Sequence, residues 1–489
     1  MKLKLKPIHI MLLILFLVVV SLRIYTSLNM QNFSSGEAYY NERIVNHLIH
    51  EKSFLDYDPL SYGGKELLKP QLFHLILALF TLGDKTLLKI IPEIFMGLIV
   101  FVVYFIGKEI TQNEKASLIA ALFSSFVPIL FVDTLNVISE YTLAIPLLLF
   151  MLYCLLKLDN RKYLYSFIVS AVLLPLIHPI AIIFILVCIV YFFLLSGGSL
   201  HATKLKKEAV LAASLIIILI QFIQYKKAFL LYSAGIIWQN APANIIADSF
   251  RGFTVADLLL GIGLIPLIIG AIGLYIGITQ ERKKSVYLFS SLIFSTLLII
   301  ALRLITISLG IILLGIIFGI LSSLAIDKLL NYTNKIKFSL ISKSLLPIIL
   351  ILFLFTSFFP IYSSIKQLND INNEKINDLL ALKEKFPEDV VVLTNLQEGN
   401  LITGISARKN VIDTNFLMAP NSVERIKDTK IIYQTFTQSV AMELIKKYKI
   451  NIIYLSPDTK RIYNVDELVY TGNLDCFQIF REDFYVIKC

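Results

Sequence analysis

Long runs of apolar residues alternate with short polar stretches over the first 365 positions of the chain. Eleven of these runs approach the length of about 20 residues that a helix needs to cross a bilayer: 8–28, 86–107, 116–133, 140–157, 163–177, 179–196, 208–225, 256–279, 286–302, 304–325 and 345–365. Two shorter apolar stretches, 68–82 and 228–238, predict re-entrant or interfacial segments. We therefore expect a multi-span α-helical membrane protein with about 11–13 spans.

The basic residues predict how these spans are oriented. Lys2, Lys4 and Lys6 precede the first run, which is longer than the apolar core of a signal peptide and is predicted to be a retained span. Lys and Arg then cluster in alternate polar stretches, and the positive-inside rule places such clusters in the cytoplasm. We expect a plasma-membrane protein with a cytoplasmic N-terminus, a long first outer loop at 29–85 and an extracytoplasmic C-terminus.

The last part of the chain has a different pattern. Val390–Thr394 and Ile450–Leu455 predict strands, and Val440–Tyr448 predicts a helix. Residues 476–480 and 484–487 predict a hairpin around Arg481–Asp483. The expected organisation is a transmembrane domain at 1–365 followed by an extracytoplasmic α/β domain at 366–489.

Composition narrows the class of protein. Of 489 residues, 57% are hydrophobic and 16% are charged, which excludes an ordinary soluble enzyme. The net charge of +10 does not indicate nucleic acid binding, because the basic residues lie in short clusters between apolar runs. The four cysteines form no zinc or redox motif. Cys476 and Cys489 fit either a disulfide or two free thiols.

The first outer loop is dense in polar and aromatic side chains. Glu37 is the first candidate catalytic residue, because a carboxylate just outside the bilayer can bind a divalent cation or act as a general base. The alternative is a solvated acidic residue near a helix start. Further candidates for contacting substrate lie in the same loop: Tyr39, Tyr40, Arg43, Asp56 and Asp58. Asp56 and Asp58 fit a cation or sugar site, or simply a turn.

A second acidic group lies in the next short outer loop. Asp133 and Glu140 have no basic residue between them, at a boundary where an unpaired charge is costly. A shared divalent cation, Mg or Mn, held by Glu37 and Asp133 would compensate these charges. The alternative is that the carboxylates are simply hydrated.

Four basic residues are candidates for contacting a phosphate. Arg303 interrupts an apolar run, and its planar set of donors suits a phosphate. The alternative for Arg303 is a contact with lipid headgroups. His178 ends a span beside a proline and fits either a phosphate contact or a structural role. Lys226 and Arg251 either add phosphate contacts or flank spans.

Several short motifs together resemble the GT-C class of membrane glycosyltransferases. Gly36-Glu37-Ala38-Tyr39-Tyr40 with Arg43 is similar to the acidic opening of the first outer loop in that class. Asp58-Pro59-Leu60-Ser61-Tyr62-Gly63-Gly64 and Lys69-Pro70 follow it. Arg303-Leu304 is similar to the Arg-Tyr that opens a late span in protein O-mannosyltransferase-like and aminoarabinose-transferase-like members.

The tail resembles that of archaeal and bacterial relatives of the oligosaccharyltransferase catalytic subunit. In those relatives a strand leads into a Trp-Trp-Asp-Tyr-Gly motif, and here Val390–Thr394 leads into Leu396-Gln397-Glu398. Trp238 is the chain's one tryptophan, so the Trp-Trp pair is missing. The resemblance places Glu398 and Asp413 on the acceptor side and leaves the acceptor open.

The resemblance implies an inverting transfer of sugar from a polyprenyl-phosphate or polyprenyl-diphosphate donor to a protein, lipid or glycan acceptor on the outer face. Glu37 would act on a cation or on the acceptor, assisted by Asp133 and Glu140, and Arg303 would hold the donor phosphate. The first alternative is a catalytically inactive scaffold or lipid-binding assembly partner with the same fold. A transporter is a second alternative, less favoured because the acidic candidates lie at span boundaries.

Overall fold

The structure is a computed structural model, and it describes residues 6–251, 253–333, 339–367, 371–472, 476–481 and 483–489. Lys2 and Lys4 of the orientation argument lie outside the described residues, as does Glu482 in the predicted hairpin turn. The parts of the predicted domains that fall in these gaps, 1–5 and 368–370 among them, are likewise outside.

Helices account for most of the described chain. In chain order they are α1 Pro7–Asn29, α2 Gly36–Glu51, α3 Leu72–Thr81, α4 Lys85–Gly97, α5 Ile99–Thr111, α6 Glu114–Ser125, α7 Pro128–Asp133, α8 Tyr141–Leu156, α9 Arg161–Ile177, α10 Ala181–Gly197, α11 Lys204–Tyr232, α12 Ala243–Asp248, α13 Val255–Ile262, α14 Leu264–Ile276, α15 Lys284–Ala301, α16 Ile307–Thr333, α17 Ser339–Phe353, α18 Phe359–Gln367, α19 Asn373–Lys385, α20 Gly399–Leu401, α21 Ser422–Gln434, α22 Gln438–Lys447 and α23 Pro457–Tyr463. Each of the eleven predicted runs is occupied by one or two of these helices.

Seven helical segments within the described residues are long and apolar enough to cross a membrane. They are Pro7–Asn29, Lys85–Thr111, Lys204–Asp248, Leu264–Glu281, Lys284–Ala301, Ile307–Thr333 and Ser344–Lys366. The predicted run 116–133 is divided into α6 and α7, because Pro128 begins a new helix. The helices α8, α9 and α10 have 16 or 17 residues, about the lower limit for a span. A multi-span helical protein is confirmed, and the count of eleven stays a prediction.

Helix α16 lies at the centre of the membrane part, with 89% of its most apolar window buried. Glycines of the neighbouring helix α14 allow α14 to approach the backbone of α16 closely. A Cβ atom at Gly270 or Gly273 of α14 would lie 2.3 Å or 2.0 Å from the carbonyl oxygen of Phe318 or Leu321. Small residues at such crossings are typical of helix packing in membranes.

A small mixed sheet lies near the C-terminus. Its strands, β3 Val391–Leu393, β4 Lys409–Asn410, β5 Ile452–Tyr454, β6 Phe477–Arg481 and β7 Phe484–Ile487, have the order β4-β3-β5-β7-β6. The pairs β3/β4 and β3/β5 are parallel, and β5/β7 and β6/β7 are antiparallel. The two predicted strands, the helix at 440–448 and the hairpin are thereby confirmed. Cys476 and Cys489 form a disulfide.

A buried polar network joins the two segments that precede the acidic candidates. Arg23 of α1 donates to Glu93 of α4 at 2.7 Å and to the carbonyl oxygen of Thr134 at 2.8 Å. Glu93 accepts from the backbone N–H of Asn136 at 2.8 Å, and the Asn136 amide donates to the carbonyl oxygen of Asn32 at 2.7 Å. Because buried ionic groups are stable only when fully paired, this network fixes the loops that carry Glu37 and Glu140.

The first outer loop also contacts the tail through a hairpin. Its strands, β1 Tyr57–Asp58 and β2 Lys65–Glu66, are joined by a turn in which Tyr62 has φ +55°. This backbone is strained for a tyrosine, and contacts with the tail hold it in place. The Tyr62 hydroxyl and the Ser61 hydroxyl each donate to Asp413 at 2.6 Å, to its carbonyl and carboxylate oxygens respectively.

Candidate functional site

Glu37 lies in the first turn of α2. The Ser35 side chain caps this helix by accepting from the N–H of Ala38 at 3.3 Å, and an acidic residue in a first turn is favoured by the helix dipole. The Glu37 side chain is exposed to solvent, although many protein atoms lie around it. Burial raises the pKa of Glu37, Lys69 opposes that shift and the negative charge of Glu140 adds to it.

Lys69 and Glu140 form an ion pair beside Glu37. The Lys69 ammonium lies 2.7 Å from a carboxylate oxygen of Glu140 and donates to Oδ1 of Asn41 at 2.9 Å. The Glu140 side chain is 3% exposed and that of Lys69 is 22% exposed. Lys69 therefore has a buried counter-ion on one side and access to the cleft on the other. We call the group formed by Glu37, Lys69 and Glu140, whose charges act on one another, the Glu37 cleft.

Two histidines border the same carboxylate. His74 of α3 is fully buried, and its Nε2 lies 3.4 Å from Glu140 and 3.1 Å from Oδ1 of Asn41. His178 follows α9, its ring centre lies 4.5 Å from that of Tyr141, and its Nδ1 accepts from the N–H of Ile180 at 3.0 Å. His178 thus has a structural contact at the helix end, in the neighbourhood of Glu140.

Of the sequence candidates, the structure brings together Glu37, Glu140 and His178. Chemically, the Glu37 cleft offers a carboxylate that accepts protons more readily than usual and an ammonium that can stabilise an anion. A carboxylate with a raised pKa next to a fixed cation in a cleft is typical of functional sites.

The other candidates of the first outer loop mainly support the loop. Arg43 forms a two-point ion pair with Asp58 at 2.8 Å and 2.5 Å, and Asp58 also accepts from the N–H groups of Leu60 and Ser61, as in a turn. Asp56 is exposed. Tyr39 and Tyr40 are buried, and the charges of Arg43 and Lys69 lie over the Tyr40 ring at 5.3 Å and 5.5 Å.

Asp133 does not join the Glu37 cleft. It ends α7 and hydrogen-bonds to Ser308 near the start of α16, and its charge is not among those that shift the pKa of Glu37. Among the described residues, no group of three or more His, Cys, Asp or Glu side chains is placed to hold a metal ion. The Mg or Mn site at Glu37 and Asp133 stays a prediction, and no step below passes through a metal.

Of the other predicted phosphate contacts, Arg303 and Arg251 form a group of their own. The Arg303 guanidinium lies 5.7 Å from the centre of the Phe250 ring. Phe250 directly precedes Arg251 in the chain, and Arg303 and Arg251 are both exposed. Arg251 pairs with Asp248 at 2.8 Å, and Lys226 is exposed near the end of α11. The structure groups Arg303 with Arg251, and it shows no contact between them and Glu37 in the described chain.

The two acidic candidates of the tail are buried, and their carboxylates accept hydrogen bonds from other protein groups. Glu398 accepts from Asn395 at 2.6 Å and from Ser456 at 2.7 Å, and it pairs with Lys375 at 2.5 Å. Asp413 accepts from Ser61 and from the Asn410 amide at 2.9 Å. Glu398 therefore holds the tail together, and Asp413 holds the tail to the first outer loop.

Sequence reasoning missed Lys69, His74 and Asn41 as site residues. Lys69 was noted only as part of a motif. A signal did exist, because Lys69 and His74 interrupt the apolar stretch 68–82, where an ionisable residue needs a partner. Their partner, Glu140, is distant in sequence, so the group becomes visible only in the folded chain.

Comparison with known proteins identifies the fold. No protein-family model matches the sequence, and no curated protein matches it. Solved structures do match. The archaeal oligosaccharyltransferase AglB from Archaeoglobus fulgidus, in complex with an inhibitory peptide and a dolichol-phosphate, is 12% identical with a TM-score of 0.68, over 90% of this chain and 69% of that chain.

Two further solved structures have a similar fold. The Archaeoglobus fulgidus oligosaccharyltransferase in complex with Zn and sulfate is 15% identical with a TM-score of 0.66, over 91% of this chain and 67% of that one. ArnT from Cupriavidus metallidurans bound to undecaprenyl phosphate is 10% identical with a TM-score of 0.61, over 97% of both chains. The chain has the fold of the GT-C membrane glycosyltransferases, as its short motifs predicted.

Proposed function

We propose that this chain is a membrane glycosyltransferase that moves a sugar from a polyprenyl-phosphate or polyprenyl-diphosphate donor to an acceptor on the extracytoplasmic face. The observation that carries the proposal is the Glu37 cleft, in which a carboxylate with a raised pKa lies beside the Lys69–Glu140 pair. The proteins of the same fold, described with dolichol-phosphate and undecaprenyl phosphate, support a lipid-linked donor.

The proposed chemistry is a single displacement with inversion. Glu37 accepts the proton of the acceptor hydroxyl or amide as the acceptor atom forms a bond to the anomeric carbon of the sugar. The bond from that carbon to the phosphate oxygen breaks, and its electron pair stays on the phosphate. The Lys69 ammonium stabilises the negative charge that develops there, in a geometry fixed beforehand by Glu140 and Asn41.

The acceptor in this proposal is not selected by an acidic tail residue. Leu396-Gln397-Glu398 stands in the place of the Trp-Trp-Asp motif, and the oxygens of Glu398 already bind Asn395, Ser456 and Lys375. Gln397 is the exposed member of that segment. This arrangement favours a protein, lipid or glycan acceptor other than an asparagine that is read by such a motif.

We also propose that the C-terminal residues are extracytoplasmic and that the N-terminus is cytoplasmic, in the plasma membrane. The Cys476–Cys489 disulfide supports this orientation, because disulfides persist in oxidising compartments. The alternation of basic clusters supports it independently.

Binding of the lipid phosphate tests the proposal without a known acceptor. Purified protein in detergent is titrated with undecaprenyl phosphate and with dolichyl phosphate, and the affinities of the unmodified chain, Lys69→Ala and Lys52→Ala are compared. Lys52 is a control, because it is exposed just after the end of α2. We expect saturable binding that weakens by about tenfold or more in Lys69→Ala alone, since hydrogen bonds to charged groups contribute about 1.5–3 kcal/mol. Absence of binding to folded protein would contradict the proposal.

A further inference from the structure

The mechanism proposed above leaves one buried ionisable residue of the cleft unused. His74 lies in α3 and is fully buried, and it contacts neither the acceptor nor the donor in that mechanism. Its Nε2 lies 3.4 Å from the carboxylate of Glu140 and 3.1 Å from Oδ1 of Asn41. Its protonation state can be worked out from the hydrogen bonds of its neighbours.

The orientation of the Asn41 amide is fixed first. Its Nδ2 donates to the carbonyl oxygen of Ile138 at 2.7 Å, so the other end of the amide is the acceptor oxygen, Oδ1. This oxygen accepts from the Lys69 ammonium at 2.9 Å, and it lies 3.1 Å from Nε2 of His74.

Two acceptor oxygens therefore converge on the same ring nitrogen. Besides Oδ1 of Asn41, a carboxylate oxygen of Glu140 lies 3.4 Å from Nε2 of His74. Neither oxygen can donate, so Nε2 carries a hydrogen. The other ring nitrogen, Nδ1, is buried and has no hydrogen-bond partner within the described part of the chain. A hydrogen on Nδ1 would be buried without an acceptor, which is unfavourable.

We infer that His74 is a positioning residue, held as the neutral ring with hydrogen on Nε2, that fixes Asn41 and Glu140 and through them the Lys69 ammonium. Lysine has a flexible four-carbon side chain, so the position of its ammonium depends on how firmly its hydrogen-bond partners are held. His74 donates to Asn41 from the protein interior, and its Nε2 borders the Glu140 carboxylate at 3.4 Å. This inference rests on the proposed function, since it assigns Lys69 to the donor phosphate.

The tautomer is tested directly by ¹⁵N NMR of the full-length protein in detergent, with ¹⁵N-labelled histidine. His74 is assigned by the signals lost in His74→Gln. We expect a protonated Nε2 and an unprotonated Nδ1 at neutral pH. A hydrogen on Nδ1, with or without one on Nε2, would overturn the inference, whatever the variants below do.

The positioning role is tested by paired substitutions with undecaprenyl phosphate as the probe. His74→Phe keeps an aromatic ring but has no donor, whereas the amide of His74→Gln can still donate. We expect a loss in affinity of about tenfold for His74→Phe, and recovery of most of it in His74→Gln. His50→Gln, on an exposed site of α2, is the control and should leave affinity unchanged.

The outcomes separate this inference from the proposed function. If the unmodified protein binds the probe and folded His74→Phe binds equally well, the inference is wrong and the proposed function stands. Equal losses in His74→Phe and His74→Gln also contradict it, because the donor would not matter. If the unmodified protein fails to bind, the proposed function fails, and the NMR result still decides the tautomer.

Discussion

The ammonium of Lys69 lies 2.7 Å from the carboxylate of Glu140, although the two residues are 71 positions apart in the chain. Glu140 is almost inaccessible, while Lys69 keeps a face toward the cleft that contains Glu37. A buried carboxylate is unfavourable without its counter-ion, so the pair fixes the position of one cation near Glu37. This position makes the cleft suitable for an anionic donor.

Removing only one charge of the Lys69–Glu140 pair should destabilise the protein more than removing both charges. We expect Lys69→Met to lower the free energy of unfolding by about 3–5 kcal/mol, because Glu140 is left as an uncompensated buried charge. The double variant Lys69→Met with Glu140→Gln should recover most of that loss without recovering lipid-phosphate binding. Thermal unfolding in detergent measures the first effect, and a double variant no more stable than Lys69→Met would contradict the buried pair.

Glu37→Gln should abolish turnover while leaving the fold intact. The amide cannot accept the acceptor's proton, and general bases contribute about 10²–10⁴-fold to rates. Because the Glu37 side chain is open to the cleft, the substitution fits without repacking. The control is Glu51→Gln, at the exposed end of the same helix. Turnover of a labelled lipid-linked sugar measures the effect, and full activity in Glu37→Gln would rule out the assigned role.

The raised pKa of Glu37 predicts a pH dependence of activity and of stability. Activity requires the carboxylate, so the acid limb of kcat/KM should have its midpoint above 4.5, the ordinary value for this group. A raised pKa means that the folded protein binds this proton more tightly than the unfolded chain does, so stability falls as pH rises past the unfolded pKa. Glu37→Gln should therefore raise Tm at pH 7 but not at pH 4. An equal change in Tm at both values would argue against the raised pKa.

The contact between the first outer loop and the tail should depend on Asp413. Asp413→Ala removes the acceptor of Ser61, Asn410 and the N–H of Asn415, and each buried donor left unpaired costs about 1–3 kcal/mol. The exposed Asp466→Ala should change stability by less than about 0.5 kcal/mol. Thermal unfolding compares the two, and equal stabilities would show that the contact is unimportant. Since Lys69 follows this hairpin closely in the chain, Asp413→Ala should also weaken lipid-phosphate binding.

The cysteines offer a test of the tail's environment. Cys476 and Cys489 are bonded to each other, and Cys154 and Cys188 are free and buried. Alkylation of denatured protein from membranes should label two cysteines without reductant and four after reduction, as read by intact mass. Labelling of all four without reductant would contradict an extracytoplasmic tail.

Much of the fold could be predicted from the sequence, because apolar runs and period-two strands are local signals. The run 304–325 is found as the central helix α16, and Ile450–Leu455 contains β5. Subdivision at a proline is harder to predict, as Pro128 shows by beginning α7 within one predicted run. Whether a helix of 16 or 17 residues spans the bilayer depends on its neighbours, which the sequence alone does not reveal.

The site was only partly predictable, for a physical reason. Glu37 could be found because an acidic residue beside a span requires explanation. Asp58 is a candidate from the same loop, and Glu398 and Asp413 are candidates through the resemblance of the tail, but in the folded chain they accept from Arg43, Asn395 and Ser61. The sequence shows which charged residues need a partner. Only the fold shows whether another protein group supplies that partner or whether the charge is available to bind a substrate.

Turnover of the donor tests the central claim most directly. Membranes are prepared from cells that naturally make this chain, after deletion of its gene, so that they contain the acceptor but not the chain. They are supplemented with purified protein and a polyprenyl phosphate carrying a radiolabelled sugar. We predict that the unmodified protein releases the lipid phosphate and transfers label to an acceptor, and that Glu37→Gln binds the same donor but transfers none. Equal transfer by the two proteins, or none by an unmodified protein that binds the donor, would contradict the account.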